Sequence, residues 1–107
     1  MASTTELVEV SDEEYTNVSS GNLNCYVAVQ FGKKFRAVIS GTQPEPDVEV
    51  YFIIHPPSDK YFDGWDIRFG VENLAAEDEI WVMAEENPES IVVVRGGINI
   101  IGGFNAA

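Results

Sequence analysis

The chain has few of the residues that carry chemistry or cross-link a fold. Its 107 residues include one cysteine and one histidine. A single cysteine excludes an intramolecular disulfide, and the two residues together are too few for a structural zinc site of the usual four-ligand kind. Cys25 lies in a strand-like run, which favours a buried thiol over a nucleophile. His55 lies between an apolar run and two prolines, which favours a structural or surface role over catalysis.

Basic residues are also scarce. Six Lys and Arg face eighteen Asp and Glu, which gives a net charge of −12 and a pI near 4.1. Such a surface repels phosphate backbones and anionic lipids, so we expect no nucleic-acid partner and no membrane partner. It attracts basic patches on other proteins. A solvated acidic surface without a specific partner is the alternative interpretation.

Long apolar runs and the common catalytic motifs are missing as well. No apolar run approaches the roughly 20 residues that span a bilayer. Residues 1–10 lack the basic and apolar regions of a signal peptide, so we expect a soluble protein made in the cytoplasm. Neither a glycine-rich phosphate loop nor a Gly-x-Ser-x-Gly elbow occurs in the sequence. We therefore expect no catalytic residues, no metal and no cofactor, and hence a protein that is not an enzyme.

The sequence consists instead of short apolar runs separated by turn residues. The runs recur every ~8–12 residues, which is typical of a sandwich or small barrel. This spacing predicts an all-β fold, a small antiparallel β-sandwich or barrel of about 7–8 short strands. The predicted strands include Leu23–Gln30, Phe35–Ser40, Val48–His55, Trp65–Val71, Glu79–Glu85 and Ile91–Arg95.

Two pairs of consecutive strands are predicted to form hairpins. The first pair is joined by the turn Phe31–Lys34, and the second by the turn Asn87–Ser90. Val48–His55 is predicted to be the strongest strand because it is dense in β-forming residues. A one-turn helix at Leu74–Glu77 is an alternative for the ambiguous stretch before the second pair.

Alternation gives the expected faces of individual strands. In Trp65–Val71 the apolar residues occur at every second position, which predicts a half-buried strand with one apolar side. Trp81 lies in an apolar run and is expected in the core. Trp65 lies between a glycine and acidic residues and is therefore a candidate interface residue.

Composition divides the chain into three parts. Residues 1–14 are an acidic lead-in, either an edge strand or a loose arm, whose apolar island contains Leu7 and Val8. Residues 15–95 are the predicted β-sandwich domain. Residues 96–107 are a glycine-flanked strand or arm that adds either to the same sheet or to the sheet edge of a neighbouring molecule. The candidate interface residues are Leu7, Val8, Trp65, Ile98, Ile100, Ile101 and Phe104.

One loop offers an alternative binding chemistry. In this loop, residues 59–66, three aspartates cluster around three aromatic residues: Asp59, Asp63 and Asp66 around Tyr61, Phe62 and Trp65. Aspartates in a loop can bind calcium, and aromatic rings beside carboxylates can bind a sugar. The spacing departs from that of an EF-hand loop, and aspartates beside a glycine are also common in ordinary turns.

The order of features resembles a class of small virion structural proteins of tailed bacteriophages. The matching segments are Tyr15–Gly21, Ser40–Asp47, Val50–Tyr51, Ile80–Ala84 and Ile91–Val94. They correspond to an aromatic-Thr-x-Val-Ser-x-Gly opening, a loop with proline and aspartate, a tyrosine-containing strand and a Trp-Val hairpin. The acidic lead-in, the double proline at Pro56–Pro57 and the glycine-flanked tail depart from that pattern.

The resemblance implies a non-enzymatic capsid decoration (cement) protein or a tail-associated protein. Its implied partners are the major capsid protein or another virion protein and further copies of itself in a homotrimer, and its implied location is the virion. Two other functions stay open: a receptor- or carbohydrate-binding module of a phage tail or fibre, and a small acidic inhibitor of a host protein. Regularly spaced carboxylates would favour the inhibitor, whereas the acids here gather at the N-terminus and in turns.

Overall fold

The computed structural model describes residues 3–57 and 64–96, and these residues form strands joined by turns and loops. Eight strands occur in these two ranges: β1 Thr4–Val10, β2 Thr16–Asn17, β3 Cys25–Val29, β4 Phe35–Ser40, β5 Phe52–Ile54, β6 Asp66–Val71, β7 Glu79–Ala84 and β8 Glu89–Arg95. The predicted all-β fold is therefore confirmed.

The strands form two antiparallel sheets of four strands each. Sheet A has the order β1-β8-β3-β6, and sheet B has the order β2-β7-β4-β5. Each strand of the first half pairs with the strand at the mirrored position of the second half, β1 with β8, β2 with β7, β3 with β6 and β4 with β5. Two further pairs, β3 with β8 and β4 with β7, complete the sheets. This is the strand order of a double-sheet jelly roll.

The core lies between the two sheets and is built from alternate residues of the central strands. On β3 the fully buried inward residues are Cys25, Val27 and Val29, and on β7 they are Ile80, Val82 and Ala84. Phe35 and Ala37 of β4 and Ile91 and Val93 of β8 complete the centre. β-branched residues at these positions suit both the extended backbone and close packing between sheets.

Residues 4–10 of the acidic lead-in form the edge strand β1. β1 pairs with β8 along its whole length, from Thr4 opposite Arg95 to Val10 opposite Glu89. An ion pair between Arg95 and Glu6, 2.6 Å between nitrogen and oxygen, joins the two strands. Of the two alternatives for this segment, the edge strand is the one present.

Both hairpin predictions are wrong. β3 and β4 follow each other closely in sequence but lie in opposite sheets, as do β7 and β8. The turn at Gln30–Lys33, closed by a hydrogen bond of 3.1 Å from the Lys33 N–H to the Gln30 carbonyl, carries the chain from one sheet to the other. A short polar connection suits a hairpin and a sheet-to-sheet crossing equally, so local sequence does not distinguish them.

The segment predicted as the strongest strand contributes only three paired residues. β5 is limited to Phe52–Ile54, opposite Phe35–Ala37 of β4. Val48 instead donates a 3.1 Å hydrogen bond from its N–H to the carbonyl of Glu45 in a turn, and Val50 is 83% exposed. Composition favoured a longer strand here, but the ladder with β4 ends at Phe52 opposite Ala37.

Two predicted faces are also wrong. A β-bulge interrupts the pairing of β6 with β3: Phe69 lies opposite the inward Val27, whereas Ile67 lies opposite Ala28. The extra residue at the bulge, Arg68, therefore turns Ile67 to the outer side, and the apolar residues of β6 do not share one face. Trp81 is half-buried on the outer side of sheet B, not in the core, and its Nε1 donates a 3.0 Å hydrogen bond to the Ser40 carbonyl.

The alternative of a helical turn at Leu74–Glu77 is likewise not found. These residues form a turn closed by a 2.9 Å hydrogen bond from the Asp78 N–H to the Ala75 carbonyl. Leu74 is buried and belongs to the core, which fixes this connection against the end of the sandwich.

Gly70 of β6 permits a close contact on the outer side of sheet A. Gly70 lies directly opposite Tyr26, and a Cβ at Gly70 would overlap Cδ1 of the Tyr26 ring and lie 2.9 Å from its Cε1. Because Tyr26 is 1% exposed, its ring has little room to move away. Glycine is therefore required by this ring rather than by the backbone conformation.

We expect Gly70→Ala to lower the free energy of unfolding by about 1–3 kcal/mol, since an overpacked side chain forces its neighbours to shift. Urea unfolding of Gly70→Ala, Tyr26→Leu and the double variant measures the effect. In the Tyr26→Leu background the alanine should cost far less, because the ring it meets is gone. Equal losses in both backgrounds would show that the contact is not the cause.

Candidate interaction surface

The predicted interface residues fall in three different environments. Leu7 projects from edge strand β1 and is 63% exposed, and Trp65, just before β6, is 37% exposed. Val8 points inward, is half-buried and packs against the core. Ile98, Ile100, Ile101 and Phe104 lie outside the described residues, as do Asp59, Tyr61, Phe62 and Asp63.

Strand register joins Leu7 to an apolar row that crosses the outer side of sheet A. Leu7 lies opposite Val92, Val92 opposite Ala28, and Ala28 opposite Ile67. We call these four residues the outer row. Leu7 and Ile67, at the two ends, are the exposed members, and Ile67 is 37% exposed. The outer face of an antiparallel sheet is usually polar, so an apolar row that reaches both edges is a candidate contact surface.

A second apolar area lies at the β5 edge of sheet B. Val50 and Phe52 are 83% and 55% exposed. The Phe52 ring contacts the Phe69 ring of β6 with centroids 5.8 Å apart, which joins the two sheets at this edge. A cleft of about 370 Å³ lies beside these residues and is lined by Ala37, Val38, Ile39, Val50, Tyr51 and Phe52. We call it the β4–β5 groove. The sequence did not indicate it, because Val48–His55 was expected to be a fully paired strand.

The outer side of sheet B next to the groove is occupied by a charged and aromatic cluster. The guanidinium of Arg36 lies 4.4 Å from the centroid of the Tyr51 ring, and its Nε donates to Oε2 of Glu85. Tyr15 is buried nearby, and burial raises the pKa of its hydroxyl, although Arg36 opposes that shift. Arg36 is therefore committed to contacts within the chain.

A carboxylate clamp fixes the turn between β2 and β3. Glu79 Oε1 accepts hydrogen bonds from the Ser19 hydroxyl and, at 3.0 Å, from the Gly21 N–H. Ser19 is fully buried, and its Oγ in turn accepts a 3.0 Å bond from the Ile80 N–H. The hydrogen bond from Ser19, more than that from Gly21, lowers the pKa of Glu79. Ser20 and Gly21 have positive φ, which glycine adopts readily and serine seldom does, so the clamp holds Ser20 in a conformation that it does not favour by itself.

Because its pKa is depressed in the folded state, Glu79 stabilises the fold above its unfolded pKa of roughly 4.3. This stability is lost as the pH falls through the folded pKa. We expect Glu79→Gln to lower the free energy of unfolding by about 1 kcal/mol at pH 7. The difference from wild type should shrink below about pH 4. Urea unfolding across pH 3–7 measures it, with the exposed Glu77→Gln as a control for the net-charge change. A difference that is independent of pH would contradict the clamp.

The candidate nucleophile, Cys25, and the candidate base, His55, lie in different parts of the fold. Cys25 faces the core from β3 in sheet A, whereas His55 is exposed just after β5 in sheet B. Burial raises the pKa of the Cys25 thiol to about 12 despite the nearby Arg95. The prediction that Cys25 is a buried thiol is confirmed.

We expect Cys25 to react with a thiol reagent such as dithiobisnitrobenzoate only after unfolding. At pH 8 the native protein should label at least about a hundredfold more slowly than the protein in concentrated urea, since a thiol of this pKa is almost entirely protonated and shielded. A Thr42→Cys variant places a thiol in an exposed loop and should label its new thiol at once. Fast labelling of Cys25 in the native protein would contradict the assigned burial.

A further cavity has polar walls that carry both positive and negative charges. It has a volume of about 320 Å³ and is lined by Gly32, Lys33, Lys34, Pro56, Glu85, Glu86, Asn87 and Glu89. Lys33 and Glu89 form an ion pair of 2.9 Å across it. Within residues 3–57 and 64–96, no group of three His, Cys, Asp or Glu side chains is arranged to hold a metal ion, and no helix is long and apolar enough to cross a membrane.

Comparison of the chain with protein-family models, curated proteins and solved structures finds no match.

Proposed function

We propose that this chain is a non-enzymatic structural protein of a virion, a capsid decoration protein that binds the outer surface of the major capsid protein as a homotrimer. The observation that carries the proposal is the outer row of sheet A. It places two exposed apolar side chains, Leu7 and Ile67, at the two ends of one row on the outer side of sheet A, while Ala28 in the middle of the row is 4% exposed. Cys25 and His55, the cysteine and the histidine of the chain, lie in different sheets.

The jelly-roll architecture supports this function, because virion proteins are among the proteins that use it. Double-sheet jelly rolls are used by viral capsid proteins and by lectins. A fold by itself does not specify a function, so the jelly roll counts here only together with the surface. A short, well-packed sandwich suits a decoration protein. Such a protein needs a stable scaffold that presents contact residues, and it does not need a conformational change.

The distribution of polarity supports it as well. A protein interface commonly has an apolar centre surrounded by polar residues, and Thr5 and Glu9 of β1 lie on either side of Leu7 on the same face of the strand. The net charge of −12 opposes contact with DNA. A protein on the outside of a capsid does not touch the packaged genome, so this charge is compatible with that position.

The proposal predicts that the purified protein is a trimer in native mass spectrometry and that it binds purified capsids of the phage that encodes it. Leu7→Ser should reduce capsid occupancy at a fixed protein concentration by about tenfold, since a buried apolar contact at an interface is worth roughly 1–2 kcal/mol. Occupancy is measured by gel densitometry after the capsids are repurified.

Leu23→Ser is the matched control, because Leu23 is 50% exposed and lies outside the outer row. It should leave occupancy unchanged. A monomer that does not bind capsids would refute the proposal, and equal losses for the two variants would remove the outer row from it.

A receptor- or carbohydrate-binding module of a tail or fibre is the second candidate, because Trp65 is exposed at the edge of the sandwich. Exposed aromatic rings can stack on sugar faces, and lectins also use the jelly roll. A glycan array probed with and without calcium distinguishes the two functions. Binding that is lost in Trp65→Ala would favour this candidate over the decoration protein.

A further inference from the structure

The exposed large apolar side chains are concentrated on one narrow side of the sandwich. Within residues 3–57 and 64–96, seven such side chains are exposed, and four of them are Val50, Phe52, Trp65 and Ile67. These four belong to β5 and β6 or lie within two residues before them, and β5 and β6 are edge strands of sheet B and sheet A. The other three are dispersed among β1 and the turns on either side of β3.

The two edge strands meet on this side. The rings of Phe52 and Phe69 lie with their centroids 5.8 Å apart and their planes tilted by 48°, and Phe69 packs against the core. Val50 and Phe52 also line the β4–β5 groove, which therefore lies along the same side. We call the surface formed by residues 50–54 and 65–71 the β5–β6 side.

The β5–β6 side is neutral, although the chain carries a net charge of −12. In the described segments 50–57 and 64–71, the Asp, Glu, Lys and Arg residues are Asp66 and Arg68, and these two form an ion pair of 3.2 Å. Glu49 and Glu72 adjoin the two segments at their far ends. Residues 58–63 lie outside the described residues and contain two aspartates and one lysine.

Charge restricts where two copies of this chain can approach each other. Like charges that face each other across a contact cost free energy. Salt screens charges that are more than about 8 Å apart at physiological ionic strength, so carboxylates away from a contact add little repulsion. A neutral surface with exposed apolar side chains is therefore where two acidic copies associate at the lowest electrostatic cost.

The same neutrality argues against a basic partner on this side. A Lys or Arg of such a partner would need an unpaired carboxylate, whereas Asp66 is already paired with Arg68. The nearby Glu49 and Glu72 lie at the ends, where a protein interface has its polar rim. The β5–β6 side thus has the apolar centre and polar rim of a contact between like copies.

We propose that the β5–β6 side is the contact surface between copies of this chain, with Val50, Phe52 and Trp65 as its apolar centre. In a homotrimer the β5–β6 sides of the three copies face the three-fold axis. Leu7 of β1, at the opposite edge of sheet A, then stays available to the capsid protein. The number of copies rests on the proposed function, whereas the contact surface does not.

Sedimentation velocity of the full-length protein at several salt concentrations tests the self-association. We expect association within the range of about 1 µM to 1 mM, which spans weak to moderate specific contacts. Association should strengthen as salt is raised, because salt screens the repulsion between acidic copies. A protein that stays monomeric throughout this range, or association that weakens with salt, would overturn the proposal.

Two matched aspartate variants test the apolar centre. Val50 is 83% exposed and Leu23 is 50% exposed, so neither change removes a buried core side chain, and urea unfolding checks that both variants fold. Val50→Asp should raise the dissociation constant by about tenfold or more, whereas Leu23→Asp, outside the β5–β6 side, should change it by less than about twofold. Trp65→Ser should weaken association as well. Equal effects of the two aspartate variants would overturn the proposal.

A second set of variants tests neutrality itself. Arg68→Gln leaves Asp66 unpaired on the β5–β6 side and should raise the dissociation constant by about threefold to tenfold, most at low salt. The double variant Asp66→Asn and Arg68→Gln is neutral again and should associate nearly as the wild type does. Lys34→Gln changes the net charge equally at an exposed residue between β3 and β4 and should have little effect. Equal weakening by Arg68→Gln and Lys34→Gln would overturn the proposal.

Capsid occupancy, measured on the same variants, separates this contact from the proposed function. If Val50→Asp dissociates the oligomer but the wild type does not bind capsids, the contact surface stands and the capsid function fails. If capsids bind and the oligomer is unaffected by Val50→Asp, the contact surface fails and the capsid function stands. A monomer whose capsid occupancy is lost in Val50→Asp would overturn the contact between copies and assign this side to the capsid protein.

Discussion

The fold depends on the pairing of each strand with its mirror-image counterpart from the other half of the chain. Among the consecutive strands of the described residues, only β4 and β5 are hydrogen-bonded to each other. Every other ladder joins residues that are distant in sequence, so the loop-closure entropy must be offset by core packing that forms together with the sheets. The fully buried side chains of β3, β7 and β8 supply that packing.

This pairing also determines where the molecule can make contacts. The central strands are paired on both sides, while β1 and β6 form the edges of sheet A, and β2 and β5 form those of sheet B. Leu7, Ile67, Val50 and Phe52 lie on or beside edge strands, and they are among the large apolar side chains that remain exposed. Exposed edges invite unspecific association. The acidic residues around them and the net charge of −12 oppose unspecific pairing of these edges with the edges of further copies and favour contacts with partners of opposite charge.

The two candidate surfaces were predictable to different degrees. Leu7 and Trp65 were identified from sequence, because an apolar residue in a polar segment and a tryptophan among acids are unusual in isolation. The outer row was not, because its members come from four strands and are brought together only by register. The bulge at Arg68 is a second reason why the outer row could not be predicted. The inserted residue places Ile67 on the opposite side of the sheet, and the alternation in Trp65–Val71 does not indicate the insertion. The groove was missed because β-propensity predicted pairing at Val48–Tyr51, whereas tertiary structure leaves these residues unpaired.

The sequence by itself determined the class of fold, the approximate location of six strands, the acidic surface and the burial of Cys25. These follow from side-chain polarity and its period along the chain, which are local properties. Only the tertiary structure decided which strands are neighbours, which side of β6 and β7 faces the core and where the ladder between β4 and β5 ends. The physical reason is that backbone N–H and C=O groups are the same in every strand, so hydrogen bonding does not select a partner. That choice is made by the packing of both sheets at once, to which residues from the whole length of the chain contribute.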